Sequence, residues 1–288
     1  MNSSNTVSIL GLGPMGHAMA AAYLDAGYGV TVWNRSAGKD EELLGRGARR
    51  AATAAEAVAA SPVTVLSLID VDAMYPSLDG ADLTGRVLVN LSSDVPEKAR
   101  AAAEWAAARG ASYLTGGVTV NPSGVGKPDS QIFVSGSEEA YEAHRATLDV
   151  LGATDFQGSE PGLAQLHYQL GMTMFWTAFT GFQQAVAIAR ANGLTAADIL
   201  PHARATAESL PGFFDWSGAL IDADDHSGED ARLAMCAASV EHVLHTASAA
   251  GIDTGILAAH AALYRRGIEA GFGADGTTRL VDLLAEPA

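Results

Sequence analysis

A single cysteine, Cys236, excludes an internal disulfide, and its scarcity fits a reducing cytoplasm. Basic residues are few as well: 17 Lys and Arg face 33 Asp and Glu, for a formal net charge of −16. A chain without excess cations has little to replace the counterions of a nucleic acid or to hold an anionic membrane surface. The acidic balance favours solubility and would attract a cationic substrate. No apolar run approaches the ~20 residues that span a bilayer. Residues 1–6 are polar, and the apolar run after them is soon broken by glycine. No secretory leader is read there, and the expected location is the cytoplasm.

What is present is core-forming material. Of 288 residues, 48% are hydrophobic and only 17% charged, enough for two modest domains or one large one. The first half alternates strand and helix patterns. Strands are expected at 7–10, 30–33, 63–68, 87–91, 112–114 and 131–135. Helices are expected from the glycine turn to about Ala26, then at 41–47, 53–60, 96–109 and 138–150. Such alternation means a mostly parallel sheet wrapped by helices. The strand signal stops after Gly162. Residues 162–191 contain no proline and read as one helix of roughly 45 Å, ended by Asn192-Gly193. The remainder, 195–284, reads as helical, with breaks near Pro211 and over 222–228. The expected fold class is α/β: an N-terminal Rossmann doubly wound sheet (1–158), a long interdomain helix (159–193) and an all-α C-terminal domain (194–288).

Gly11-Leu12-Gly13-Pro14-Met15-Gly16 fits the dinucleotide pattern G-x-G-x-x-G between a strand and a helix. The first glycine makes the tight turn, the second lets the backbone approach a pyrophosphate, and the third allows close helix–strand packing. The helix N-terminus receives the negative charge. NAD binders usually carry an acid at the end of the second strand. Here that stretch is Trp33-Asn34-Arg35-Ser36. Arg35 suits a 2′-phosphate, Ser36 adds a hydroxyl, and Lys39 follows one turn later. The expected cofactor is therefore NADPH. Leu68 and Ile69, at the end of the 63–68 strand, and Ser92 complete the expected cofactor set.

Gly11–Gly16 together with Val32-Trp33-Asn34-Arg35-Ser36 closely resembles the imine reductases, within the β-hydroxyacid and 3-hydroxyisobutyrate dehydrogenase superfamily. The resemblance covers almost the whole chain. Asn90-Leu91-Ser92-Ser93-Asp94-Val95-Pro96 looks like the loop beside the nicotinamide, and Tyr113-Leu114-Thr115-Gly116-Gly117-Val118-Thr119 like the substrate-side loop. Gly271-Phe272-Gly273-Ala274-Asp275 looks like the C-terminal segment. In Gly158-Ser159-Glu160-Pro161-Gly162-Leu163-Ala164-Gln165-Leu166-His167-Tyr168, the position of Tyr168 is a catalytic Lys in the hydroxyacid enzymes. The position of Met172 is an Asn there. This sequence has neither group and follows the imine reductases. The difference has chemical sense. A ketone needs a strong proton relay at oxygen, whereas a basic imine nitrogen can arrive protonated, and a Lys cation beside it would repel it. The phenolic hydroxyl of Tyr168 would either donate a proton or orient the nitrogen.

Tyr168, Met172, Phe175 and Phe179 recur along one helix face. Tyr168 and Met172 are expected in the pocket, Phe175 and Phe179 in the core. Trp176 lies off that stripe, where it could pack against a partner. The resemblance also implies a homodimer with exchanged helical halves, and so a second set of substrate residues. Trp216, Met235 and His242 are candidates; Leu210, Phe213 and Phe214 are either pocket or core. An aromatic face such as Trp216 holds an iminium by cation–π contact. Ser92 and Thr119 match polar positions of the hydroxyacid enzymes and join the substrate set. His242 and His245 have no third ligand, and Asp222, Asp224 and Asp225 lack a calcium-loop spacing, so no metal is expected. The leading expectation is reduction of a small imine or iminium, cyclic imines included, with reductive amination open. A hydroxyacid or semialdehyde oxidoreductase and a non-catalytic NADPH-binding dimer are the alternatives.

Overall fold

A computed structural model describes residues 5–285. The chain divides into two compact units, the first ending at Met174 and the second beginning at Phe175. The first unit runs β1 (Thr6–Leu10), α1 (Pro14–Asp25), β2 (Gly29–Trp33), α2 (Glu41–Gly45), β3 (Arg49–Arg50), α3 (Ala54–Ala60) and β4 (Val63–Leu66). It continues with α4 (Met74–Ser77), β5 (Val87–Asn90), α5 (Pro96–Ala107), β6 (Ser112–Val118), β7 (Gln131–Gly136), α6 (Glu138–Leu148) and β8 (Ala153–Phe156). The strands form one sheet in the order β3-β2-β1-β4-β5-β6-β7-β8. Every pair is parallel except β6 with β7. Both faces of the sheet are covered, which explains why strands such as VTVL (β4) and VLVN (β5) are buried at every position rather than at alternate ones.

Two apolar clusters flank the sheet. One joins Val7, Ile9, Val32 and Val65 to Met19 and Tyr23 of α1. The other joins Leu10, Leu66 and Leu88 to Val58 of α3, Met74 of α4 and Ala102 of α5. The chain reverses its winding between β1 and β4, and the C-terminal ends of β1, β2 and β4 open a crevice there, the usual place for a ligand in such sheets.

α7 (Leu163–Ala191) is continuous over 29 residues. The second unit adds α8 (Ala196–Asp222), α9 (Leu233–Ala249), α10 (Gly255–Glu269) and α11 (Leu280–Ala285). α8 begins with a capping box: the Thr195 hydroxyl accepts from the Asp198 amide, and Asp198 accepts in return from the Thr195 amide. The expected break near Pro211 is absent, because α8 runs through both Pro201 and Pro211. The break over 222–228 is present. It is closed by His226, which is buried with Nδ1 2.9 Å from the Thr278 hydroxyl. Phe175 and Phe179 are not core of this chain, contrary to expectation: they are 51% and 44% exposed. They pack instead on each other (5.8 Å between centroids) and on Trp176, which is 58% exposed. Among the described residues no helix is long and apolar enough to cross a membrane.

Candidate active site

The crevice at the β1–β4 switch is a cleft of about 410 Å³. Its floor is the glycine turn. Gly11 has φ +94°, and a Cβ there would lie 2.2 Å from the Ser67 carbonyl oxygen. A Cβ on Gly16 would lie 1.9 Å from the Gly11 carbonyl oxygen, so the third glycine is required for α1 to sit on the turn. Gly13 differs: among the described residues beyond its chain neighbours, no atom lies within 4 Å of its missing Cβ. Its role is outward, toward whatever enters the cleft. α1 starts with Pro14 at N1, lacks a side-chain cap and has no acid in its first turn. Amide donors and the positive end of the helix therefore face the cleft. This arrangement fits a pyrophosphate.

The end of β2 is locked to the turn. Asn34 Oδ1 accepts from the Leu12 amide at 2.8 Å, and Asn34 Nδ2 donates to the Ser36 carbonyl at 2.8 Å. Arg35, Ser36 and Lys39 line the cleft and are exposed. Among the described residues neither cation is in an ion pair, which leaves both for an added phosphate. Asp40 next to them is buried and cannot play the ribose-binding acid: it forms a bidentate pair with Arg50. The Arg50 guanidinium holds that carboxyl below the usual range. Of the expected cofactor residues, Gly11, Gly13, Pro14, Met15, Asn34, Arg35, Ser36, Lys39, Leu68 and Ile69 line the cleft. Leu12 and Gly16 lie behind its wall. Trp33, Ser67, Ala73 and Ser77 also line it and are not in the expected cofactor set.

Ser92 does not open on the cleft. It is 1% exposed; its hydroxyl accepts from the Leu68 amide at 3.0 Å, and its amide donates to Asn90 Oδ1 at 3.0 Å. Thr119 is exposed, but its hydroxyl donates to the Gln131 carbonyl at 2.9 Å, fastening the end of β6 to β7. Both hydroxyls bond groups that tie loops together; Ser92 is too buried for the direct substrate contact expected of it, while Thr119 stays exposed.

The start of α7 is tied to these loops. Glu160 accepts from Arg100 Nε at 2.7 Å and from the Gly162 amide at 3.0 Å. Partial burial pushes its carboxyl up, but those bonds outweigh it and hold it below the ordinary range. Gln165 is fully buried, and its amide reaches both the 91–95 loop and β6. Gln169 Nε2 donates to the Asp94 carbonyl at 3.0 Å. Asp94 itself accepts from the Val71 and Val95 amides and pairs with Lys98. Burial raises its carboxyl, but these partners keep it below the normal range and therefore ionised.

Tyr168 follows one turn after Gln165, half-buried, and its hydroxyl has no hydrogen bond among the described residues. Its ring lies on the backbone of β6: a Cβ on Gly117 would be 2.6 Å from Tyr168 Cβ and 2.7 Å from Cγ and Cδ2. Met172, one turn further on, is also half-buried. Gln165, Gln169, Asp94 and Gly117 were not singled out from the sequence. The i, i+3 spacing of Gln165 and Tyr168 was the available signal, since it puts both on one helix face.

The second unit carries the remaining candidates. Trp216 and Phe213 line a cleft of about 390 Å³ together with Asp230. Met235 is 60% exposed on α9. His242 is exposed on the same helix and lines a separate cleft with His245 and Glu241. Among the described residues, no three His, Cys, Asp or Glu side chains are grouped to hold a metal.

Two family models cover the chain. One, described as the NAD binding domain of 6-phosphogluconate dehydrogenase, matches residues 6–161. The other, described as NADPH-dependent reductive aminase-like, C-terminal domain, matches residues 160–286. The solved imine reductase of Streptomyces aurantiacus is 50% identical, with a TM-score of 0.95 over 98% of this chain and 100% of that one. The imine reductase of Bacillus cereus is 48% identical, with a TM-score of 0.89 over 98% and 99%. An NADPH-dependent reductive aminase of Aspergillus oryzae is 29% identical over 97% of either chain.

Proposed function

This chain belongs to the imine reductase and reductive aminase family, and from that premise we propose how its residues divide the work of reducing a C=N bond. The enzyme is an NADPH-dependent oxidoreductase that converts imines or iminium ions to amines. Gly13 and the open amides of α1 take the pyrophosphate, and Arg35, Ser36 and Lys39 take the 2′-phosphate. When bound, the dihydronicotinamide supplies the hydride. The protein's own task is to hold the C=N carbon at reacting distance, about 3–3.5 Å, and to keep a proton on nitrogen.

Tyr168 is the residue proposed for that second task. The observation that carries the reading is its seat on Gly117, where it presents an uncommitted hydroxyl in place of the ammonium group of a hydroxyacid dehydrogenase. Met172, on the next turn, is proposed as an apolar wall. Ser92 and Thr119, which match polar positions of the hydroxyacid enzymes, each use their hydroxyl to bond a main-chain group.

The finer reading is a cytoplasmic homodimer that accepts cyclic imines and also performs reductive amination. Two copies would exchange helical halves, following the three-part division at 1–158, 159–193 and 194–288. Trp176, Trp216, Met235 and His242 of one copy would then serve the cleft of the other. The exposed rings of Phe175, Trp176 and Phe179 support this reading, as they form a large apolar face that water covers in a lone chain. The deciding assay follows NADPH absorbance with a cyclic imine, with succinate semialdehyde or glyoxylate, and with no substrate. Consumption fastest with the imine is expected. Faster turnover of the oxo acids, or no turnover of any, would overturn the reading.

A further inference from the structure

Gln165 is fully buried, a position that a primary amide occupies only when its hydrogen bonds are made. Its Nε2 lies 3.1 Å from the Ser92 carbonyl, 3.2 Å from the Thr115 hydroxyl and 3.1 Å from the Gly116 carbonyl. Its Oε1 accepts from the Asp94 amide at 3.3 Å. Two N–H groups thus serve three acceptors, and the amide joins three separate segments: the 91–95 loop, the middle of β6 and the first turn of α7. From Ser92 the connection continues to the cofactor cleft, because its hydroxyl holds the Leu68 amide. On the other side stands Tyr168, one turn along the same helix and packed on the residue after Gly116.

We propose that Gln165 is a positioning residue for the reduction: its amide registers the Tyr168 turn of α7 against the Leu68–Ser92 wall of the cofactor cleft. It touches neither substrate nor cofactor. Its effect runs through the station of the Tyr168 hydroxyl, so the inference rests on Tyr168 acting in catalysis. The physical reason is that a helix can slide or roll by about an ångström on an apolar sheet face at small cost. A buried amide with four partners removes that freedom, since any shift leaves buried carbonyls unpaired.

The test is a double-mutant cycle on the full chain, with kcat for a cyclic imine and NADPH Kd by fluorescence measured for each variant. Tyr168→Phe alone tests the reading on which the inference rests: unchanged kcat would remove Tyr168 and that reading together. Gln165→Met keeps the volume and removes every hydrogen bond. It should lower kcat about tenfold or more and leave NADPH Kd within about twofold. In the Tyr168→Phe background the same change should cost less than about threefold. Equal losses in both backgrounds, or a loss confined to NADPH affinity, would refute positioning through Tyr168 while leaving the role of Tyr168 intact. Should Gln165→Met not fold, Thr115→Val deletes one acceptor with the shape kept. It should show a smaller kcat loss with the same dependence on Tyr168, and additivity there would be equally damaging.

Discussion

Gly117→Ala is the sharpest test of how the fold serves the chemistry. Gly117 is not in the left-handed region, so alanine is allowed by the backbone and the perturbation is purely steric. The added methyl would stand 2.6 Å from Tyr168 Cβ and 2.7 Å from Cγ and Cδ2. Carbon atoms in contact sit about 3.5–4.0 Å apart. Relief therefore needs a movement on the order of 1 Å. Because Tyr168 Cβ is itself struck, a change of side-chain rotamer does not suffice, and the helix turn must rise from β6. Overpacking of this kind costs roughly 1–3 kcal/mol of stability. A displacement of about 1 Å at a catalytic group costs on the order of a hundredfold in rate. The variant should thus melt lower yet remain folded, bind NADPH with nearly unchanged affinity, and lose about a hundredfold in kcat/KM for a cyclic imine. Stopped-flow turnover, a thermal melt and NADPH fluorescence titration measure the three quantities. A variant with normal kcat/KM would show that Tyr168 has no required station on β6, and the mechanism built on it would fall.

Gly13→Ala should give the opposite pattern. With no atom of the described residues beyond its chain neighbours within 4 Å of the new methyl, the apo protein should melt normally, while NADPH Kd rises by tenfold or more; unaltered affinity would mean that the pyrophosphate does not approach there. Arg35→Ala should remove roughly 1.5–3 kcal/mol of phosphate binding. The NADPH-over-NADH ratio of kcat/KM would then fall about ten- to a hundredfold with NADH turnover kept, and equal use of both cofactors by the unmodified enzyme would refute the assignment. Tyr168→Phe separates two roles: a loss of about 10²–10⁴-fold marks proton donation and one near tenfold marks orientation. Sedimentation should show a dimer whose activity declines on dilution, against which a fully active monomer would stand.

The Rossmann half was legible because its signals are local. The glycine turn, the missing acid after Trp33 and the apolar strands each announce themselves within a few residues. The cleft accordingly contains ten of the residues expected in it. What escaped reading was set by distant partners. β3 is two exposed arginines held by strand pairing to β2, and β8 alternates exposed and half-buried positions at the sheet edge. Neither has an apolar run to find. Pro211 is a strong local stop, yet α8 continues through it. Ser92 and Thr119 carry the expected functional group, and each hydroxyl bonds a main-chain group of a neighbouring segment. Hydroxyls are as useful for fastening loops as for holding substrates, and only the fold tells which. Phe175 and Phe179 have a core pattern but no core of their own chain to enter. Gln165 carries no local signal of its partners, because all four lie about 50 to 70 residues away in the chain.

The uncapped start of α1 has a thermodynamic corollary. A helix whose first amides lack partners is incomplete, and here the completing group is not a side chain of the protein. The dinucleotide would act as the missing cap, so part of the folding free energy of the first unit is lodged in the ligand. At a hundred times its Kd, a ligand confined to the native state adds about 2.7 kcal/mol, or roughly 5–10 °C in melting temperature for a unit of this size. A melting curve then becomes a record of which nucleotide the cleft accepts, with no substrate in the tube. NADPH, NADH and 2′-phosphorylated fragments can be ranked by the heat the protein withstands.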